Sequence, residues 1–295
     1  MGPVPRAVGF VGLGRMGMPM SRRLAQAGYW VKGYDVSAEA RSRASENGVK
    51  EASSLGEAAD GADIVILMLP TSAEVAAVVD EELLHDHLPP GALIVDMSSS
   101  EPLRTRDLAE RMGNAGWYFI DAPVSGGVSG AEAGTLTVMI GGGVGEVERA
   151  RPFLEHLGRV VHAGPVGAGH AIKALNNLLS ATHLWATTEA MIVGQRFGLD
   201  PQVMLDIFNS SSGRSGSTAN KWPNFILPGT YNSGFGLRLM VKDMGTAVRL
   251  SEQMGVSSEL GQAALRLWEQ AAERLPAEAD HTEVARWLRT DDHGT

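Results

Sequence analysis

An α/β half followed by an all-helical half is the fold class that this 295-residue sequence predicts. Three observations predict it. An apolar strand pattern, Ala7–Val11, runs straight into Gly12-Leu13-Gly14-Arg15-Met16-Gly17 and then into a helical pattern. Short apolar runs alternate with helical stretches as far as His162, as in a parallel sheet covered on both faces. Beyond Gly198 the periodicity is helical only.

Taken in order, the helix after the glycines covers residues 18–27 and stops at Gly28, a residue suited to a left-handed helix end. A second strand, Trp30–Tyr34, closes on Asp35, about 20 residues past Gly17. A lone GxGxxG says little. Set between strand and helix, with an acid ending the next strand, it is the full dinucleotide-binding pattern. Gly12 permits the tight turn, Gly14 lets a pyrophosphate approach the backbone, and Gly17 lets helix and strand pack closely. The helix N-terminus then faces the phosphates, and Leu13, Arg15 and Met16 complete the cofactor-binding loop. Residues 1–165 thus read as a Rossmann NAD-binding domain. Asp35 can accept from both ribose hydroxyls and would repel a 2′-phosphate. Val36 and Ser37 bring no cation, and Arg41 and Arg43 come only on the following helix. NAD is expected over NADP, which stays possible.

The strand at 62–69 is nearly all apolar and stops at Pro70-Thr71-Ser72; Leu69 and Pro70 offer backbone against which either half of the cofactor could rest. Pro89-Pro90-Gly91 is a turn, and a strand at 93–97 ends in Ser98-Ser99-Ser100. Those hydroxyls lie at a carboxyl end, where open α/β sheets bind ligands; Ser100 reads equally well as a cap for the helix starting near Pro102. Tyr118–Asp121 is a strand leading into Ala122-Pro123-Val124-Ser125-Gly126-Gly127. Successive backbone N–H groups beside a hydroxyl suit a carboxylate, although a plain loop glycine pair fits as well. A strand at 136–140, a helix at 144–156, a short strand at 159–162 and a Gly164-Pro165-Val166-Gly167 hinge follow.

The helical pattern at 168–197 is where the chemistry is placed. Ile172, Leu175, Leu178, Leu179, Leu184, Met191 and Ile192 keep helical spacing, while Lys173, Asn176, Asn177 and Ser180 recur on one face. A solvated face is the bland account of such a stripe. Against it stands position: the stripe begins where the α/β pattern stops, and small-molecule sites favour such junctions. Asp200 as cap and Pro201 at the first position start another helix. Residues 210–217 read as a Ser/Gly loop containing Arg214, and 228–236 as a further loop. Helices follow from 237, carrying Lys242-Asp243, and at 257–274 and 281–289.

Composition excludes other classes. A net charge of -9 without a basic block argues against nucleic acid. The absence of cysteine removes disulfides, thiolate catalysis and Cys-ligated metals, and no clustered His/Asp set suggests a metal. The opening Met1-Gly2-Pro3-Val4-Pro5-Arg6 lacks a signal-peptide layout, and no apolar run approaches a membrane span. A cytoplasmic protein is expected.

Residues 9–20, 121–127 and 169–177 together resemble the β-hydroxyacid dehydrogenase family, whose members include 3-hydroxyisobutyrate dehydrogenases and tartronate semialdehyde reductases. The resemblance runs over almost the whole chain, down to Lys242-Asp243 and Asp280-His281-Thr282. It implies a Rossmann domain, a long interdomain helix, and an all-α domain at 166–295 that makes a homodimer or homotetramer. It also implies Lys173 as the catalytic lysine and Asn177 as the partner that holds the substrate hydroxyl. Ser125, Gly126 and Gly127 would bind the carboxylate, and Asn176, on the helical stripe, is expected to bind the substrate as well. Lys242 would lie on the nicotinamide side and Ser99, often threonine in the family, near the cofactor. The stretch 210–215 and Trp222 fall where substrates are expected to be told apart.

The expected reaction moves a hydride between NAD and the hydroxyl carbon of a small, 3-hydroxyisobutyrate-like 3-hydroxy acid. Lys173 would take the hydroxyl proton in oxidation and return it in reduction. Partial desolvation and a facing nicotinamide cation are expected to lower its pKa. Alternatives are reduction of a small semialdehyde (tartronate semialdehyde, glyoxylate or succinic semialdehyde), or imine reduction, against which Lys173 counts. A 6-phosphogluconate dehydrogenase would need a longer helical domain. A non-catalytic cofactor-binding module is disfavoured by the presence of Lys173, Asn177 and Ser125 together.

Overall fold

Short strands of two to seven residues, unable to bury themselves alone, stack here into one sheet. The computed structural model describes residues 6–80 and 86–290; Met1–Pro5, part of the opening read above as lacking a signal-peptide layout, lie outside them. In chain order the first elements are β1 (Ala7–Val11), α1 (Gly17–Gln26), β2 (Trp30–Tyr34), α2 (Ala38–Ser45), β3 (Lys50–Glu51), α3 (Leu55–Ala59), β4 (Ile64–Leu67) and α4 (Ser72–Val79). Then come β5 (Leu93–Asp96), α5 (Pro102–Asn114), β6 (Tyr118–Asp121), β7 (Val124–Ser125), α6 (Gly127–Ala133), β8 (Leu136–Gly141), α7 (Val144–Leu154) and β9 (Gly158–Gly164). The sheet order is β3-β2-β1-β4-β5-β6-β8-β7, with β9 paired to β8. From β3 to β6 all pairs are parallel; β8 runs antiparallel to β6 and β7. Phe10, Ile66, Val95 and Ile120 pack under α1 and α7 on one face, while Val65, Leu67, Ile94 and Phe119 pack on the other. Neighbouring residues of one strand thus feed opposite cores, which is why these strands read as unbroken apolar runs.

Several expectations are corrected. The strand expected at 62–69 is trimmed to Ile64–Leu67, since beyond it the backbone leaves the ladder to bond with neighbouring strand ends. Ser100 does not cap the helix at Pro102: Glu101 holds the cap position without a side-chain bond, and the Ser100 hydroxyl donates to Asp96 Oδ2 at 2.7 Å. The glycines after Ser125 open a helix, α6, that was not expected there.

The chain divides into two compact units, Met1–Lys173 and Ala174–Thr295, and the division falls inside α8 (Ala168–Phe197). The second unit holds α9 (Pro201–Ser210), a π-helix (Ser217–Ile226), α10 (Leu237–Gln253), α11 (Glu259–Arg274), a 3-10 turn (His281–Glu283) and α12 (Val284–Thr290). Asp200 caps α9 by accepting from the N–H groups of Gln202 and Val203. The loop expected at 210–217 gives way to the π-helix at Ser217, where Thr218 and Trp222 are buried. Trp222 and Trp268 anchor the core of this unit. Among the described residues no helix is long and apolar enough to cross a membrane.

On the first turns of α8 the amphipathic reading is corrected, while Leu184 and Met191 further along are buried as expected. Ile172, Leu175 and Leu179 are exposed, whereas Lys173 and Asn177 are only 6% and 5% exposed. Asn176, on the same stripe, is exposed.

Asp280 caps the 3-10 turn through Thr282 N and also takes the N–H groups of Gly234 and Phe235. The adjacent His281 is buried with its Nδ1 against the Phe235 carbonyl. Burial, reinforced by the Lys221 charge and opposed by Asp280, presses its imidazole from 6.5 down to about 4. The unfolded chain therefore binds this proton at higher pH than the fold does. Stability from a neutral His281 is complete above pH 6.5 and is lost as pH falls toward 4, by about 3 kcal/mol at the acid end. Thermal melts across that window should show His281→Gln with a shallower acid dependence than wild type; identical slopes would refute this account.

Candidate active site

The Gly12–Gly17 turn is shaped by what a side chain would strike. Gly12 has φ +95°, and a Cβ there would lie 2.3 Å from the Met68 carbonyl; at Gly17 it would lie 1.8 Å from the Gly12 carbonyl. At Gly14 a Cβ would meet nothing within 4 Å. Gly12 and Gly17 are therefore required by the fold, while Gly14 leaves a gap over the start of α1. That helix has no side-chain cap; Met18 N donates to the Gly14 carbonyl and Pro19 brings no N–H, so the turn before it is the part that remains for an anion. The loop fits the pyrophosphate of a dinucleotide.

Asp35 follows β2 and is tied to the same loop. Its Oδ2 accepts from Leu13 N and its Oδ1 from Ser37 N, both at 2.8 Å. Arg41 is engaged by protein at this point: its Nη1 donates to the Asp35 carbonyl and its Nε lies 3.2 Å from Glu51 Oε1. At the end of β4, Leu69 N donates to the Ser98 hydroxyl at 2.9 Å, which joins this edge of the crevice to the end of β5. Pro70 is exposed, and Ser99, next to Ser98 in the chain, is half-buried.

The loop after β6 brings Ser125 half-buried, Gly126 with φ +135° and Gly127 with φ +65°. Gly126 holds the cap position of α6 without a side-chain bond. A hydroxyl next to the uncapped start of a helix is a donor set suited to a carboxylate.

Asp121, at the end of β6, reaches across to the start of α8. Its Oδ1 accepts from Gly167 N at 2.6 Å and its Oδ2 from His170 N at 2.8 Å. The carboxyl is fully buried, and burial pushes its pKa above the ordinary value against the pull of His170 and those two N–H groups. The His170 ring lies with Nδ1 2.9 Å from Thr105 Oγ1 and Nε2 3.1 Å from the Ser98 carbonyl. Lys173 comes less than one turn further along.

In the second unit, Asn177 Nδ2 donates to Asp243 Oδ2 at 2.6 Å, and Lys242 Nζ lies 3.3 Å from Asp243 Oδ1. Asn176 donates from Nδ2 to Asn177 Oδ1 at 3.3 Å. One buried carboxylate thus gathers an asparagine and a lysine singled out from the sequence. The first unit brings together the glycine loop with Asp35, Leu69 with Ser98, and the helix start carrying Lys173 with the strand end that precedes Ser125. Four residues were missed: Asp96, Asp121, His170 and Asp243. An acid ending an apolar strand, as in Phe119-Ile120-Asp121, was the signal that could have found two of them. Among the described residues no group of three or more His, Asp or Glu side chains could hold a metal ion.

Comparison with known proteins bears on these features. The profile of the NAD binding domain of 6-phosphogluconate dehydrogenase matches residues 7–165. The profile described as NAD-binding of NADP-dependent 3-hydroxyisobutyrate dehydrogenase matches residues 167–288. The NAD-dependent L-serine dehydrogenase of Pseudomonas aeruginosa is 37% identical, covering 95% of this chain and 97% of that one. The mitochondrial 3-hydroxyisobutyrate dehydrogenase of Mus musculus is also 37% identical, covering 97% of this chain and 88% of that one. The solved structure of the Mycobacterium tuberculosis 3-hydroxyisobutyrate dehydrogenase with L-serine is 34% identical at a TM-score of 0.91, covering 97% of this chain and 100% of that one.

The glycine loop makes a separable prediction. Gly14→Ala should keep the melting temperature while weakening NADH binding by roughly tenfold or more, because only the ligand needs that space. Gly17→Ala should lose stability as well. Fluorescence titration and thermal melts check both; equal melting losses in the two variants would refute the distinction.

Proposed function

The chain belongs to the β-hydroxyacid dehydrogenase family and is an NAD-dependent hydroxyacid oxidoreductase, and from that premise we propose a small 3-hydroxy acid of the 3-hydroxyisobutyrate or L-serine kind as its substrate, with Lys173 as general acid/base. One observation carries the proposal: Lys173 is buried just inside a helix whose start is held by Asp121 through the N–H groups of Gly167 and His170, and Asp121 ends the strand that leads to Ser125-Gly126-Gly127.

When bound, NAD supplies the hydride acceptor. The loop Gly12, Leu13, Gly14, Arg15, Met16 and Gly17 would hold its pyrophosphate and Asp35 its ribose, with Leu69, Pro70 and Ser99 against either half of the cofactor. Ser125, Gly126 and Gly127 fix the substrate carboxylate, which leaves the hydroxyl-bearing carbon next to Lys173. In oxidation the neutral Lys173 amine takes the hydroxyl proton; in reduction the ammonium returns it. Asn177 directs the same oxygen without competing for the proton. An amide carries two N–H donors, so with one engaged by Asp243 the other serves the substrate. In this reading Asn176 also serves the substrate and Lys242 the cofactor. Residues 1–165 form the cofactor domain and 166–295 the helical domain, which also makes a dimer or tetramer. The protein acts in the cytoplasm, and reduction of the matching semialdehyde is the same step run backwards.

Lys173→Ala should lower kcat by on the order of a hundredfold or more while NADH binding is retained. Turnover equal to wild type would remove lysine from the mechanism. With 3-hydroxyisobutyrate and L-serine compared side by side, kcat/KM should favour NAD over NADP by roughly tenfold or more, because Asp35 opposes a 2′-phosphate; a clear NADP preference would overturn that assignment.

A further inference from the structure

We propose that Asp121 and His170 are positioning residues for this reaction: together they fix the rotation and depth of the start of α8, and so the place of Lys173. The proposal rests on Lys173 being the acid/base.

The first N–H groups of a helix have no partners within it. Here one of them, on His170, and the N–H of Gly167 just before the helix go to the two oxygens of one carboxylate that comes from β6, far away in the sequence. A cap from a neighbouring residue would satisfy the helix without locating it. A cap from the sheet does both. The negative charge also lies at the positive end of the helix dipole.

The His170 ring adds two further ties. The Ser98 carbonyl can only accept, so Nε2 carries a hydrogen and donates to the end of β5 at 3.1 Å. Nδ1 lies 2.9 Å from Thr105 Oγ1 on α5. Asp96 Oδ2 and Asp121 Oδ2 flank the ring at 3.7 and 3.8 Å. Thus β5, β6 and α5 all hold the first turn of α8.

Two glycines make the approach possible. A Cβ on Gly169 would stand 2.1 Å from the Met139 carbonyl and 2.8 Å from Asp121 Oδ2, and one on Gly141 would stand 2.5 Å from Asp121 Oδ1. The leverage is large: with side chains reaching about 5–6 Å from the helix axis, a rotation of about 20° moves their ends by roughly 2 Å. Proton transfer works only within hydrogen-bond reach.

The test uses the full-length protein with NAD and the hydroxy acid that it oxidises fastest, comparing wild type, Lys173→Ala, Asp121→Asn, His170→Leu and His170→Gln. Asp121→Asn should lose tenfold or more in kcat, while KM for NAD and NADH affinity stay within about twofold. His170→Leu should lose kcat similarly, and His170→Gln, which keeps an N–H for the Ser98 carbonyl, should recover most of that loss. Wild-type kcat in folded Asp121→Asn overturns the proposal, whatever its melting temperature. Should that variant fail to fold, the histidine pair decides: equal activity of His170→Leu and His170→Gln overturns it. Full activity of Lys173→Ala would instead refute the acid/base reading itself.

Discussion

A carboxylate taken out of water must be answered by hydrogen bonds, and the rest of the first unit is arranged around that requirement at Asp121. Desolvation of such a group costs several kcal/mol unless donors replace the lost water. The donors available at the carboxyl end of a parallel strand are the backbone N–H groups of helices that start there. Asp121 takes two of them from the start of α8, and the upward push on its pKa shows that burial still outweighs the favourable contacts. The strand end cannot shift without exposing an unsatisfied charge, and the helix cannot shift without orphaning two N–H groups. The position of Lys173 follows from both constraints.

The same logic recurs in the second unit with different parts. Asp243 holds the Asn177 amide and the Lys242 ammonium, and Asp280 gathers the backbone of a loop and of the final turn. Each acid is a hub to which residues remote in sequence are tied. Fixed polar geometry of this kind is what a site for a small, highly oxygenated acid requires, because misplaced donors there cannot be compensated by water.

Much of the fold was legible beforehand for local reasons. The glycine loop, the strand that ends on Asp35 and the helix from Ala168 to Phe197 each depend on spacing within a few residues. What escaped was set by distant partners. Ser100 has the composition of a helix cap, but a buried Asp96 offers its hydroxyl a better acceptor. Ile172, Leu175 and Leu179 have the spacing of a core stripe yet are exposed, while their polar neighbours Lys173 and Asn177 are buried; periodicity finds the two faces of a helix without saying which one is turned inward. His170 sat unnoticed inside the very stretch chosen for the chemistry, since its partners Ser98 and Thr105 are far from it in the chain.

The three glycines of the nucleotide loop answer to different masters. Two are demanded by neighbouring backbone and one by empty space. A duplicated copy that had given up its nucleotide would still need the outer pair in order to fold, but would be free to acquire a side chain at the middle position. That single site is therefore a marker of retirement: among descendants of this chain, a bulky residue there would flag a scaffold that had kept its shape and left its trade.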